Sequence, residues 1–143
     1  MEDINKTNNK DKFLIKKYNF RKNIINYIYQ YELFNIQINT SEIVNNELNK
    51  ISISEISTLE IIQSKYQTLK NIANKFLLET WTWERINPLI RAVLIFGIYE
   101  LTYNEPRVVI NEMVNITKMF VPGDDYKFVN RILDRISKEI INK

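Results

Sequence analysis

Cations interleaved with aromatic rings are the groups in this chain best suited to chemistry. In "KKYNFRKNIINYIY", residues 16–29, Tyr18, Lys22, Ile25 and Tyr29 stand at i, i+4, i+7 and i+11. On a helix they share one stripe, with Arg21 at its border and Lys16 and Lys17 just upstream. Lysine and arginine meet phosphates and rings stack on bases, so the pattern suits single-stranded nucleic acid. It equally suits a helix that packs through Tyr18, Ile25 and Tyr29 with a solvated basic rim. A second place is "DDYKFVNRILDRI", residues 124–136. Asp124 or Asp125 caps a helix there. Phe128 falls at the edge of the stripe formed by Val129, Ile132, Leu133, Ile136 and Ile140, beside N–H groups that favour a phosphate.

Other chemistries are removed by composition. The 143 residues hold no cysteine and no histidine. Disulfides, thiolate metal sites and the commonest general base go with them. Two glycines cannot build a phosphate-binding loop. Acid pairs such as Asp124–Asp125 sit where helices begin and read as caps. The sequence therefore predicts no enzyme, no metal and no cofactor. The polar start "MEDINKTNNKDK" has no apolar core of a secretory signal, and the run from Ala92 to Tyr99 is too short to span a bilayer. A cytoplasmic protein is expected.

The elements that must position these groups are helices. Few glycines and prolines argue against a turn-rich sheet fold. Residues 1–11 read as a disordered tail and 12–143 as one helical domain. A first helix, Lys12 to Asn35, buries Phe20, Ile24, Tyr27, Ile28 and Tyr31. "NTSE", 39–42, starts a second, ending near Lys50. Ser57 with Glu60 fits a capping box for a third, which runs to Glu79 with Ile61, Ile62, Tyr66, Leu69, Ile72, Ala73, Phe76 and Leu77 inward. "WTWERI" is a helical turn. Asn87–Pro88 opens a helix apolar nearly all round and hence central. Two more helices follow, separated at Pro122–Gly123. The fold class is all-α, with six to seven helices. Charge is segregated along the chain. From Lys12 to Lys22 there are five bases and no acid; from Glu32 to Glu60, five acids and Lys50 alone. These are either two solvated faces or two partner surfaces of opposite sign.

Three phrases follow in order: "WTWERINPLIRAVLIFGIYEL", "PRVVINEMVNITKMF" and "DDYKFVNRILD". Together they resemble the NusB family of transcription antitermination factors, with "YEL", "INE" and "KFVN" the most recognisable words. "RKNIINYIYQYE" is similar to the family's Arg-x-x-Ala-x-x-x-Leu-Tyr pattern, with Arg21, Ile24, Ile28 and Tyr29 at the four positions. The resemblance covers nearly all of the chain after residue 12 and is weak between 36 and 78. It implies two packed three-helix subdomains without catalysis. It also implies binding of boxA-type single-stranded RNA in nascent ribosomal transcripts, together with the ribosomal protein NusE, so that RNA polymerase reads through terminators. Some members form a homodimer when RNA and NusE are absent.

Carried over by position, the resemblance implies RNA-facing roles for Lys16, Lys17, Arg21 and Tyr29, and for Asp124, Lys127 and Phe128. It places Glu84 near the NusE contact. Tyr99, Glu100, Asn111 and Glu112 read as ties between helices. The chain departs from the family at Ile90, commonly an acid, at Ile95, usually arginine, at Tyr126, usually small, and at Arg131, usually glycine. Two rival expectations remain. One is the accessory helical domain of ribosomal RNA cytosine methyltransferases, which is disfavoured because no methyltransferase domain follows. The other is a protein–protein scaffold without RNA specificity.

Overall fold

The computed structural model describes residues 2–141, with side chains from 8 to 140. Six α-helices are found among the described residues: α1 Glu2–Phe34, α2 Thr40–Asn46, α3 Ile53–Lys75, α4 Pro88–Leu101, α5 Pro106–Phe120 and α6 Asp125–Ile141. A 3-10 turn, Trp83–Arg85, stands before α4. The all-α class is as expected. Helices α1–α3 make one group and α4–α6 the other. No described helix is long and apolar enough to cross a membrane.

Helix α4 joins the two groups, packing on α1 and α3 on one side and on α5 and α6 on the other. Every residue from Ile90 to Ile98 is buried, as a helix apolar nearly all round requires. Asn87 caps it, its Oδ1 accepting from Leu89 N at 2.8 Å, and Pro88 takes the first turn. Gly97 sets the spacing: a Cβ there would come within 3.1 Å of Leu133 and 3.2 Å of Met113. Only hydrogen lets α5 and α6 close this tightly on α4. Gly123, at φ +97°, turns the chain from α5 to α6 in a region that side chains avoid.

Two buried ion pairs fix α1 against α4. Arg21 of α1 meets Glu100 of α4 (Nε–Oε1 2.7 Å), and Glu32 of α1 meets Arg91 of α4 (2.9 Å). The helices run antiparallel, and the signs are exchanged between the two ends. A shift of one turn would bury four charges without partners, so the pairs select register. Between them Ile24, Ile25 and Ile28 lie against α4 with at most 2% exposed.

Five local expectations need correction. Helix α1 begins at Glu2 rather than Lys12, where a tail was expected; Met1, Asn142 and Lys143 lie outside the described residues. No glycine or proline interrupts the ladder there. Residues 8–17 are all exposed, so backbone hydrogen bonds rather than packing carry that stretch. The capping box of α3 is Ser52–Glu55, not Ser57–Glu60. Beginning there sets Glu55, Leu59, Ile62, Leu69 and Ala73 on one buried face, while Ile61 points out at 39% exposure. Helix α3 stops at Lys75 instead of Glu79. On α6 the buried stripe closes with Ser137, and Ile140 lies outside it at 41%.

Candidate nucleic-acid interface

The stripe read on α1 is half wall and half rim. Ile25 is 2% exposed and belongs to the core. Lys22 and Tyr29 border a hollow of about 400 Å³ between α1 and the neighbouring ends of α4 and α5. Asn23, Ile25, Asn26, Leu89, Ile116 and Phe120 complete its lining. Apolar walls with a lysine and two amides at the edge suit a flat, polar-edged ring such as a nucleobase. Tyr18 bridges helices: its hydroxyl donates to Met119 Sδ at 3.1 Å, and Lys22 Nζ lies 5.5 Å from its ring centre. Lys16 and Lys17 stand farther along α1, exposed, with Lys17 Nζ 5.1 Å from the Phe13 ring centre. Both cations are available to phosphate.

Arg21 is not on this surface. Its side chain is 7% exposed, its Nε donates to Glu100, and one terminal nitrogen lies 3.9 Å from Glu112. The expectation of an RNA-facing Arg21 meets a guanidinium already committed to the "YEL" and "INE" acids. Those acids are the ties they were read to be.

The second hollow, about 290 Å³, lies at the start of α6. Phe128 is half-buried there, and its ring centre is 6.1 Å from that of Trp81 at a 32° tilt. Arg85, Asn87, Asp125 and Arg131 line the rest, with Ile90 at the base. Ile90 is 2% exposed, so an apolar residue where the family has an acid serves packing here. Ile95 is fully buried for the same reason, whereas Arg131 sits on the open side of α6. Asp124 and Lys127 are exposed and face one another at 3.7 Å, a contact weak enough to yield to a phosphate. The two hollows flank the first turn of α4: Leu89 enters one, Asn87 and Ile90 the other. Residues from both ends of the sequence therefore meet on neighbouring surface.

Glu84 is exposed on the 3-10 turn. That turn is held from below by Arg91, which the sequence reading passed over. Arg91 donates to the carbonyls of Trp83 (3.2 Å), Glu84 (3.4 Å) and Ile86 (3.1 Å), and to the Glu32 carbonyl (3.0 Å). The Tyr66 hydroxyl also donates to Glu32, and burial followed by that carboxylate pushes the tyrosine well above its usual range. A lone arginine in so apolar a helix was the signal to look for this. Trp81, Leu89 and Phe120 were also missed. Trp81, ahead of the 3-10 turn, is 47% exposed while Trp83 is buried, and Phe120 keeps the register of Val109, Met113 and Ile116 but stands 47% exposed at the end of α5. No group of three acids close enough to hold a metal occurs among the described residues.

A model of the NusB family matches residues 18–138. The chain belongs to the NusB family. It is 40% identical over 106 residues to the transcription antitermination protein NusB of Fervidobacterium nodosum, covering 68% of this chain and 74% of that protein. It is 33% identical over 127 residues to that of a Nitratiruptor species, covering 85% and 91%. It is 33% identical over 110 residues to that of Fusobacterium nucleatum, covering 75% and 71%. The names of these relatives describe transcription antitermination and no catalytic activity. The family match spans both hollows, from Tyr29 on α1 to Phe128 on α6.

Proposed function

We propose that this chain is a transcription antitermination factor that reads boxA-type single-stranded RNA with NusE and helps RNA polymerase pass terminators. Family membership supports the general role. One observation carries the RNA reading: two aromatic hollows flank the first turn of α4, the first bordered by half-buried Lys22 and the second by exposed Arg85 and Arg131. Lys16, Lys17 and Lys127 take phosphates, and Lys22 borders the first hollow. Tyr29 and Phe120 receive one base, and Phe128 with Trp81 receives another. Asp124 orients Lys127 and accepts from base edges. Arg21 acts indirectly, by holding α1 in register. Glu84, on the turn fixed by Arg91, meets NusE, a basic ribosomal partner.

Fluorescence titration with boxA-type RNA against a scrambled RNA, with NusE present, tests this. Tighter binding of the boxA-type RNA that weakens as salt rises is expected. Equal affinity for the two sequences would remove the reading. Self-association without RNA and NusE belongs to the same proposal: the chain alone should have the mass of a dimer, and the complex formed when both are added should contain one copy of the chain. A scaffold without RNA specificity would keep every partner after charge reversal at Lys16 and Lys17, whereas the RNA reader loses RNA and keeps NusE.

A further inference from the structure

Beyond the two hollows lies a groove that neither accounts for. It runs between α5 and α6 on their outer side, has a volume of about 570 Å³, and is lined by Arg107, Asn111, Lys118, Tyr126 and Asn130, closing at Asp134 and Ser137. Tyr126 stands at its open end with two cations around its ring: Lys118 Nζ at 4.6 Å from the centre and Lys127 Nζ at 6.0 Å. The ring is half-buried, and no core neighbour demands an aromatic there, since Val129, Ile132, Leu133 and Ile136 already fill the inner face of α6. Asn111 and Asn130 offer donors and acceptors to base edges. The acid that closes the groove, Asp134, is occupied by Lys138 at 3.0 Å.

The outer face of α6 links this groove to the second hollow. Lys127, Arg131, Arg135 and Lys138 recur at i, i+4, i+8 and i+11, all exposed. They form a ridge of positive charge with the Phe128 hollow on one flank and the Tyr126 groove on the other. A strand leaving the first meets phosphate-binding cations all the way to the second.

We infer that the α5–α6 groove is a further single-stranded RNA subsite. Tyr126 is its base-stacking platform, and Lys118, Lys127 and Arg107 are its phosphate contacts. Lys118 covers the ring when no RNA is present and moves to a phosphate when a base takes its place; the cation–π contact of an exposed lysine is weak enough to exchange. The inference rests on the RNA reading of the two hollows and extends it: RNA running past the core element gains affinity and holds its flanking nucleotides on this face.

The test uses the full chain with two RNAs, a boxA-type core and the same core lengthened by a uridine tract at either end. The lengthened RNA is expected to bind about tenfold more tightly. Tyr126→Ala should abolish that gain and leave the core affinity unchanged, Tyr126→Phe should keep it, and Lys118→Ala should reduce its salt dependence. Thermal melting checks that each variant is folded. No gain from lengthening at either end, or a gain that survives Tyr126→Ala, overturns the inference while the RNA reading stands. Equal losses on core and lengthened RNA also overturn it, because Tyr126 would then serve the core site. A groove that takes an acidic protein segment instead would leave every RNA affinity unmoved. Failure of both RNAs to bind removes the reading and the inference together.

Discussion

Arg21→Met separates a structural arginine from an RNA contact. The guanidinium is 7% exposed and donates at 2.7 Å to Glu100, itself 3% exposed. Its removal leaves the Glu100 carboxylate with Asn104 Nδ2 at 3.4 Å as its side-chain donor. Breaking a buried pair from one side costs about 3–5 kcal/mol. That is a large share of the roughly 5–15 kcal/mol that holds a domain together, and it corresponds to a melting point lowered by about 10–20 °C. Replacing both partners, Arg21→Met with Glu100→Leu, removes the orphaned charge and should recover most of the loss. Urea unfolding of wild type, both single variants and the double variant gives the coupling directly. RNA titration of the double variant at several salt concentrations supplies the second readout. An intact salt slope is expected, whereas Lys17→Ala should lower it by about 0.7, the share of one phosphate on a single strand. If Arg21→Met melts like wild type and the slope falls, Arg21 faces RNA after all and the register argument for α1 is wrong.

Three further outcomes follow from the same geometry. Phe128→Ala should weaken RNA binding about tenfold, the worth of one stacked base, and lower stability by about 1 kcal/mol through the lost Trp81 contact; a larger stability loss with unchanged RNA affinity would return Phe128 to the core. Ser52→Ala should cost about 1 kcal/mol in urea unfolding and Ser57→Ala close to none, because Ser52 is the residue whose Oγ accepts from Glu55 N at 3.1 Å; the opposite order would move the start of α3. Tyr31 is pushed up to about 12 by burial, with Glu42 as the second cause, and burial lifts Tyr66 and Tyr103 as well. Folded-state values above the unfolded value of about 10 mean that the unfolded chain loses these protons first. Stability should hold below pH 10 and fall as pH rises through the folded-state values. Tyr66→Phe should flatten that decline, and an unchanged slope in alkaline urea unfolding would discount it.

The sequence revealed the elements better than it revealed which side of each one faced a neighbour. Asn39 and Asn87 announced their helices, because caps are local chemistry. The apolar run from Leu89 to Ile98 announced a central helix, because nothing else can bury it. Phe128 was legible as an edge residue from its stripe alone. Arg21 was not legible, because its environment is made by a residue 79 positions away. A basic residue among aromatics looks the same in sequence whether its partner is a phosphate or a buried glutamate. The same holds for Ile25, read on the basic stripe and found beneath it. Two capping boxes five residues apart were both chemically sound at the start of α3. Burial of Leu59 and Ile62 against the rest of the fold favoured the earlier one. Trp81 required knowing which of two neighbouring tryptophans the core would take, and Phe120, in register with the buried stripe of α5, required knowing that the core ends before it.

The arrangement around α4 bears on how NusE raises RNA affinity under the proposed function. An allosteric route needs an element with two arrangements, whose balance the partner shifts. The turn carrying Glu84 offers a poor one: Arg91 ties three of its carbonyls to Glu32, Trp83 is buried, and Asn87 caps the next helix at once. Simultaneous grip of one RNA by two proteins needs no rearrangement, only sites close enough for the strand to reach both. The two routes part on a shortened RNA that fills the hollows of this chain and ends before it can touch NusE. Under shared grip, NusE binds the chain as before but no longer tightens the shortened RNA. Under allostery the full enhancement persists on the short strand, and that result would mean the turn above Arg91 moves.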